Sequence, residues 1–453
     1  MYINSAKTLK VKIVRIDFQR PDIQPPESLD LSINPYYIGR DGKTVILYII
    51  MSDFMPISVC VLGRQPELGL AELESLYGPE IIRSASGCAL LGLEPDNINF
   101  QRLGGTLKLG RVLTILPSVK WSEISKYITK TVPHHAEYIT GTKLTVGVSS
   151  YGFKIRPQDI YKMLRLSQKT IRGSGRSMRI VPNQTPALST AQVLHNKLTH
   201  RGKWELLLIR DGHQTIIAQS LFVQDIQSYV GRDRNRPKRD AKVGMLPPKL
   251  AQIIINLAAP RMGPKILDPF CGSGVILQEA LLMGFDVVGS DIDERMISYA
   301  GTNLDWLASS YRISADRYTL AIADARNYVW PKARYAVATE IYLGPALHSQ
   351  PSPEALSKLK KEIDKLLKVF LANLHKQLPI GGRLCVAIPV WRANQDFHKL
   401  PTVDHLTDMG YTHVGFLKTK VPQLIYIRPN QIVGRQLLVL KKINRKLGLN
   451  EQA

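Results

Sequence analysis

The stretch Lys265-Ile266-Leu267-Asp268-Pro269-Phe270-Cys271-Gly272-Ser273-Gly274 decides how this chain is read. A short apolar strand runs into an acid and then a glycine-rich turn, and Val275-Ile276-Leu277 opens a helix. Glycines there let the backbone approach a ligand closely, and the helix N-terminus adds amide donors and positive potential. Spacing excludes two common phosphate-binding loops. A dinucleotide fingerprint needs a third glycine where Leu277 stands. A P-loop needs Gly-Lys-Ser/Thr, but Val275 and Ile276 follow Gly274. Asp268 also opposes a pyrophosphate, which its carboxylate would repel. It suits a ligand with a positively charged amino-acid head group.

Outward from this turn, from about Val243, strands and helices alternate. Strands are expected at Lys265–Asp268, Val287–Asp291, Tyr318–Asp324, Tyr335–Glu340 and Arg383–Val390, with helices at Val275–Met283, Glu294–Leu307 and Pro353–Leu378. Such alternation predicts an α/β fold with a mainly parallel sheet covered by helices on both faces. Val414–Leu417 and Arg435–Leu440 read as an antiparallel edge hairpin. The second strand ends Gly289-Ser290-Asp291-Ile292-Asp293, and an acid about 20 residues past a glycine turn is placed to accept both hydroxyls of a ribose. The third ends Ala323-Asp324-Ala325, where an acid can accept from an adenine amino group. Asp268, Asp291 and Asp324 on successive strand ends, with Phe270, Gly272 and Gly274 in the turn, have the pattern of an S-adenosylmethionine pocket. Any one of these acids alone reads equally well as a helix cap or solvated turn.

The N-terminal half is also α/β. Ile57 to Leu62 is an apolar run, Pro66-Glu67 opens a helix with Leu68, Leu70, Leu73 and Leu76 at helical spacing, and Gly78 closes it. Leu144–Val148 alternates like a strand, Gln158–Lys169 like a helix, and Trp204–Ile209 like a buried strand. Residues 1–54 read as an N-terminal extension broken by Pro21, Pro25 and Pro26, for which a disordered reading stays open; Met51 and Met55 are candidate alternative starts.

The chain has 453 residues, enough for two or three domains. Sixty Lys and Arg against 37 Asp and Glu leave a formal charge of +23, which implies a polyanionic partner. The run Val45–Met51 is far too short to span a bilayer, and Met1-Tyr2-Ile3-Asn4 lacks a signal-peptide layout, so a cytoplasmic protein is expected. Cys60, Cys88, Cys271 and Cys385 are scattered without a CxxC pair, which indicates neither a disulfide framework nor a metal site. Positive charge concentrates in two runs. Lys154, Arg156, Lys162, Arg165, Lys169, Arg172, Arg176 and Arg179 face Asp159 alone, and Arg232, Arg234, Arg236, Lys238 and Arg239 fill a polar linker. One such run is as often a solvated face; two beside a methyl-donor pocket favour phosphate binding. Aromatics are only 7% and form no stacking ladder, so backbone and shape recognition is expected.

These residues also carry a family resemblance. Asp268–Gly274 with Ser290-Asp291-Ile292-Asp293 resembles the Rossmann-like methyltransferases that modify RNA at guanine N2, most nearly the THUMP-containing tRNA guanine-10 N2-methyltransferase family. Leu62–Leu68, Ala71-Glu72-Leu73 and Leu103–Gly110 resemble its N-terminal part. Arg232-Asp233, Arg239-Asp240 and Val243–Ala251 resemble its linker and the entry to its catalytic domain. Tyr426–Pro429 and Val433-Gly434-Arg435 resemble its last hairpin. The resemblance covers about 57–441. It implies a ferredoxin-like region (55–118), a THUMP-like RNA-binding domain (119–228), a basic linker (229–243) and a Rossmann-like methyltransferase domain (244–442). It further implies S-adenosylmethionine as methyl donor and tRNA as partner, held through basic residues such as Arg172, Arg176, Arg232 and Arg239. Members of such families end the fourth strand with Asp or Asn, two prolines and an aromatic residue. Here Glu340-Ile341-Tyr342-Leu343-Gly344-Pro345 stands instead, with Glu340 in the place of the amine-orienting acid and Tyr342 in that of the base-stacking ring. Three readings follow: guanine N2 methylation in tRNA, methylation of another exocyclic amine such as one in ribosomal RNA, and a non-catalytic RNA-binding protein that keeps the fold.

Overall fold

The computed structural model describes residues 12–16, 35–40, 43–50, 54–139, 143–239, 245–347, 349–393, 396–419, 424–429 and 431–444. The chain divides into two units at Pro56 and Ile57. Within the first, Lys12–Ile16, Pro35–Arg40 and Lys43–Ile50 form a three-stranded antiparallel sheet with the last strand central. Lys43–Ile50 carries Val45, Ile46, Ile49 and Ile50, the β-branched composition that favours a strand. The remainder of 1–53 lies outside the described residues.

Two sheets build the second unit. The C-terminal one contains β1 (Lys265–Asp268), α1 (Val275–Leu282), β2 (Val287–Asp291), α2 (Glu294–Tyr311), β3 (Tyr318–Ile322), β4 (Tyr335–Glu340), α3 (Pro353–Gln377), β5 (Arg383–Ala393) and β6 (Val433–Lys442). Strand order is β3-β2-β1-β4-β5-β6, with Tyr411–His413 outside β6. The first five strands are parallel and β6 is antiparallel to β5. Both faces are apolar because successive residues point to opposite sides. Ile266 and Val287 pack with Leu250, Leu277 and Leu304 on one side, whereas Leu267 and Val288 pack with Leu367, Phe370 and Leu374 of α3 on the other. Strand order reverses between β1 and β4, so the C-terminal ends of these strands open into the crevice where doubly wound sheets bind ligands.

One expected strand is absent. Val414–Leu417 is not a strand, although the Val414 amide donates to the Val439 carbonyl of β6 at 2.8 Å; Tyr411–His413 and Leu424–Tyr426 pair with β6 instead. The amides that a strand at 417–418 would use donate elsewhere: Leu417 N–H to Glu74 Oε1 at 2.6 Å and Lys418 N–H to Glu74 Oε2 at 2.8 Å.

The N-terminal sheet of this unit is one eight-stranded surface running through both regions that the sequence separates. Thr106–Leu116 is its joint, pairing antiparallel with Ser58–Leu62 on one side and Gln214–Val223 on the other. Helix Pro66–Tyr77 of this half packs against helix Pro248–Ala258, which opens the C-terminal half. Glu72, fully buried, accepts the Gly104 and Gly105 amides, each at 2.9 Å, and the Asn256 side-chain amide at 2.7 Å. Gly104 is required there: a Cβ would stand 2.1 Å from the Lys249 carbonyl oxygen. The expected linker is also docked. Ile226–Arg234 is a helix capped by Asp225, and Lys238 exchanges hydrogen bonds with Asn303 of α2 at 2.9 and 3.0 Å. Residues 240–244 lie outside the described residues.

Candidate active site

Each acid singled out in the sequence stands at the C-terminal edge of the parallel sheet. β1 delivers Asp268, which is 2% exposed. Its Oδ1 accepts the Thr339 hydroxyl at 2.6 Å and the Phe270 amide at 3.3 Å. Among the described residues it has no cationic partner. Burial, and then the negative charges of Asp291 and Glu340, push its carboxyl up to about 7. The glycine turn follows. Gly272 (φ +50°) and Gly274 (φ +85°) sit in the left-handed region that glycine adopts freely, and a Cβ on Gly272 would meet nothing within 4 Å. The turn is therefore an open cradle at the N-terminus of α1.

Asp291 ends β2 and braces that cradle. Its Oδ2 accepts the Gly272 amide at 2.9 Å and its Oδ1 the Asp293 amide at 3.0 Å. Asp293 in turn caps α2 through the Arg295 amide at 2.8 Å. Trp330 Nε1 donates to Ser290 Oγ at 3.1 Å, fixing the strand end from behind. Phe270 is half-buried, edge-on to Phe370 of α3 with centroids 5.0 Å apart. Asp324, past β3, is turned toward Arg326, whose Nη2 lies 2.6 Å from Oδ2; this hydrogen-bonded guanidinium holds the Asp324 carboxyl below its usual range.

Glu340 ends β4 and is not a free carboxylate. Arg435 of β6 donates to it from Nε and, at 3.4 Å, from Nη2, and the two side chains are only 14% and 5% exposed. Burial raises the Glu340 carboxyl and the Arg435 charge opposes that rise. Tyr342, two residues on, is 52% exposed. Thr339 and Arg435 escaped the sequence reading. For Arg435 a signal existed, a lone cation before the apolar run Leu437–Leu440 of β6. Thr339 carried none, because its role depends on β1 and β4 being neighbours.

The basic residues divide. Arg172 and Arg239 are exposed. Arg176 is half-buried, with its guanidinium on the carbonyls of Ala136 and Ile139. Arg232 corrects the expectation of a phosphate contact. It is 9% exposed and forks onto Glu279 of α1, Nε to Oε1 at 2.7 Å and Nη2 to Oε2 at 3.2 Å. Arg236, 3% exposed, is likewise inside. A buried carboxylate on α1 requires such a partner, and the linker supplies it. All four cysteines are buried and free, and no metal-binding cluster or membrane-spanning helix occurs among the described residues.

An open glycine turn flanked by strand-end carboxylates stands at the reversal point of a Rossmann-like parallel sheet, and this part of the chain is similar to known methyltransferase domains. Residues 236–405 match the family UPF0020, described as RMKL-like, methyltransferase domain. The chain is 36% identical over 146 residues to tRNA (guanine(10)-N2)-dimethyltransferase of Methanothermobacter thermautotrophicus, covering 32% of this chain and 39% of that protein. It is 30% identical over 194 residues to the protein of the same name from Pyrococcus abyssi, covering 42% and 51%. These matches are similarities over part of each protein, and they fall on the same domain whose motifs resemble the tRNA guanine N2-methyltransferases. The chain spans about half or less of the length of these curated relatives. Among solved structures, TrmN from Thermus thermophilus aligns over 85% of this chain and 99% of its own, at 17% identity and a TM-score of 0.48.

Proposed function

We propose that this protein transfers a methyl group from S-adenosylmethionine to the exocyclic N2 amine of a guanine in tRNA. One observation carries the reading. Asp268, Asp291 and Glu340 end neighbouring strands, their charges acting on one another, and among the described residues Asp268 is buried without a cation of its own, beside an open glycine cradle. That arrangement fits a cofactor bearing an ammonium and a sulfonium and repels one bearing a pyrophosphate.

When bound, the cofactor supplies an electrophilic methyl group on its sulfonium. Asp268 would hold the ammonium, Gly272 and Gly274 would line the methionine and ribose, and Asp291 would accept from the ribose hydroxyls. Asp324 stands at the third strand end for the adenine amino group, with Arg326 holding its orientation. Transfer needs alignment more than a strong base. Glu340, fixed by Arg435, would accept an N–H of the guanine amine and turn its nitrogen toward the methyl group. The exposed ring of Tyr342 would lie against the base, which has to leave its stack to enter the crevice. Exposed Lys154, Lys162, Arg165, Lys169 and Arg172 of the N-terminal half, with Arg239 in the linker segment, would take the tRNA backbone. The names of the curated relatives point to position 10 and to dimethylation. A tRNA substrate would support a cytoplasmic location.

A second reading, an RNA-binding protein without turnover, draws on the Glu340–Arg435 pair, which already occupies the acid. Nucleoside mass spectrometry separates the two. Unmodified tRNA incubated with the protein and methyl-deuterated S-adenosylmethionine should yield labelled N2-methylguanosine. Cofactor binding with no labelled nucleoside on tRNA would favour the binding-only reading, and label on adenosine or in ribosomal RNA alone would redirect the substrate.

A further inference from the structure

Helix α3 carries a basic groove that neither the sequence reading nor the candidate site uses. One of its faces is core: Ile363, Leu367, Phe370, Leu371 and Leu374 are buried. The other holds Lys358, Lys361, Lys365 and Lys368, spaced three and four residues apart and all exposed, with Lys360 half-buried beside them and the exposed Glu354 and Glu362 flanking Lys358 and Lys361. The stripe from Lys361 to Lys368 is about 10 Å long at 1.5 Å per residue. A solvated helix face ordinarily interleaves charges into pairs of opposite sign. Here no lysine of the stripe makes an ion pair among the described residues. Asp364, the acid in the groove, accepts the Thr402 amide at 2.8 Å.

The surface is concave as well as basic. Arg392 from the end of β5 and His398 from the strand Asp396–His398 face the lysines across a cavity of about 720 Å³. It opens at the same sheet edge as the candidate site. Gln350, in the segment that leaves Glu340 and Tyr342, donates to the Arg392 carbonyl at 3.5 Å. Gly344 of that segment packs so closely on α3 that a Cβ would stand 3.2 Å from Leu359.

We propose that this groove binds the phosphate backbone of the RNA substrate beside the nucleotide that enters the crevice, positioning it for transfer. The proposal rests on the function proposed above. Lys360, Lys361, Lys365, Lys368 and Arg392 line the groove with Asp364 as its engaged acid, and a concave shape joined to the fourth-strand turn matches a polyanion that tracks past the site. An anionic membrane would instead favour a convex face with apolar residues beside its lysines.

The test is tRNA binding by the full chain across a salt series, read by filter retention, with cofactor affinity measured in parallel. Replacing Lys361, Lys365 and Lys368 by Gln should weaken tRNA binding tenfold or more. The slope of log affinity against log salt should fall by about 3, roughly 1 per lost phosphate contact. Cofactor affinity should stay unchanged. Lys332→Gln with Arg334→Gln, at the opposite edge of the sheet, should leave affinity and slope near the parent's. Effects from the two sets in proportion to the charge removed, three against two, would overturn the groove, since total charge alone would then suffice. Parent-like affinity and slope in the triple variant would overturn it while leaving the proposed reaction standing, and so would loss of binding to phosphatidylserine vesicles with tRNA affinity intact. A parent that binds tRNA at no salt concentration would overturn both readings.

Discussion

Asp268 offers a measurement that joins fold to cofactor. Its carboxyl sits near 7, against about 3.9 for an unfolded aspartate. The native state therefore holds a proton that the unfolded chain releases between about pH 4 and 7. The group's contribution to stability is greatest below that window and falls as pH rises through it. Ligand binding runs the other way, because an ammonium requires the ionised carboxylate. With a value near 7, the ionised fraction climbs from about 0.03 at pH 5.5 to about 0.5 at pH 7, while the ligand's own amine stays protonated. S-adenosylmethionine affinity should therefore rise about 15-fold over that range, roughly 1.6 kcal/mol. At pH 5.5 binding should expel nearly one proton, visible by titration calorimetry in buffers of different ionisation enthalpy. Asp268→Asn keeps the shape and the acceptor for Thr339 but cannot ionise. It should bind weakly at every pH and expel no proton. A parent whose affinity is flat from pH 5.5 to 7, with no proton released, would remove Asp268 from contact with the ammonium.

Three further outcomes are expected. Asp291→Ala strips the ribose acceptor and the brace under Gly272 and should weaken cofactor binding by on the order of 2–3 kcal/mol; unchanged affinity in calorimetry would take Asp291 out of the site. Removing either Glu340 or Arg435 strands its buried partner, so Glu340→Ala should lose about 3–5 kcal/mol of stability in urea melts and about 10²–10³ in turnover. Glu340→Gln should keep part of the turnover, whereas the Glu340→Gln, Arg435→Gln double variant should regain stability without turnover; a parent rate in Glu340→Ala would end the amine-orienting assignment. Gly104→Ala forces a methyl group onto the Lys249 carbonyl and should cost about 1–3 kcal/mol in the melting transition, with an unaltered midpoint counting against the tight docking of the two halves.

What was legible in the sequence is local. The period of apolar residues marked β1, β2 and β4 closely, because Ile266-Leu267 and Val287-Val288 are apolar on both faces and leave no alternative to a covered sheet. The glycine turn and Asp268 declared themselves by order along the chain. Relations set by distant packing stayed hidden. Arg232 reads as a linker cation until Glu279, 47 residues later, is seen buried beneath it. Glu340 reads as a free acid until β6 arrives antiparallel to β5 and brings Arg435 across. Leu417 looks like a strand residue until Glu74 is found holding its amide and that of Lys418. In each case the missing fact is a partner supplied by topology, to which local propensity is blind.

The reach of Glu74 also sets a timetable. Its carboxylate receives amides 343 and 344 residues later, Gln65 Nε2 donates to the Ile427 carbonyl, and Arg383 donates to the Ser75 hydroxyl. At about 5–20 residues per second, helix Pro66–Tyr77 leaves the ribosome roughly 20–70 s before its last partners exist. During that interval Glu74 lacks the amides that later hold it, whereas Glu72, Leu68 and Ala71 already have Gly104, Gly105 and helix Pro248–Ala258. Helix Pro66–Tyr77 is thus finished by the last-made segment, and a chain that stops short of Leu417 leaves the Glu74 carboxylate without its amide partners and Gln65 without the Ile427 carbonyl.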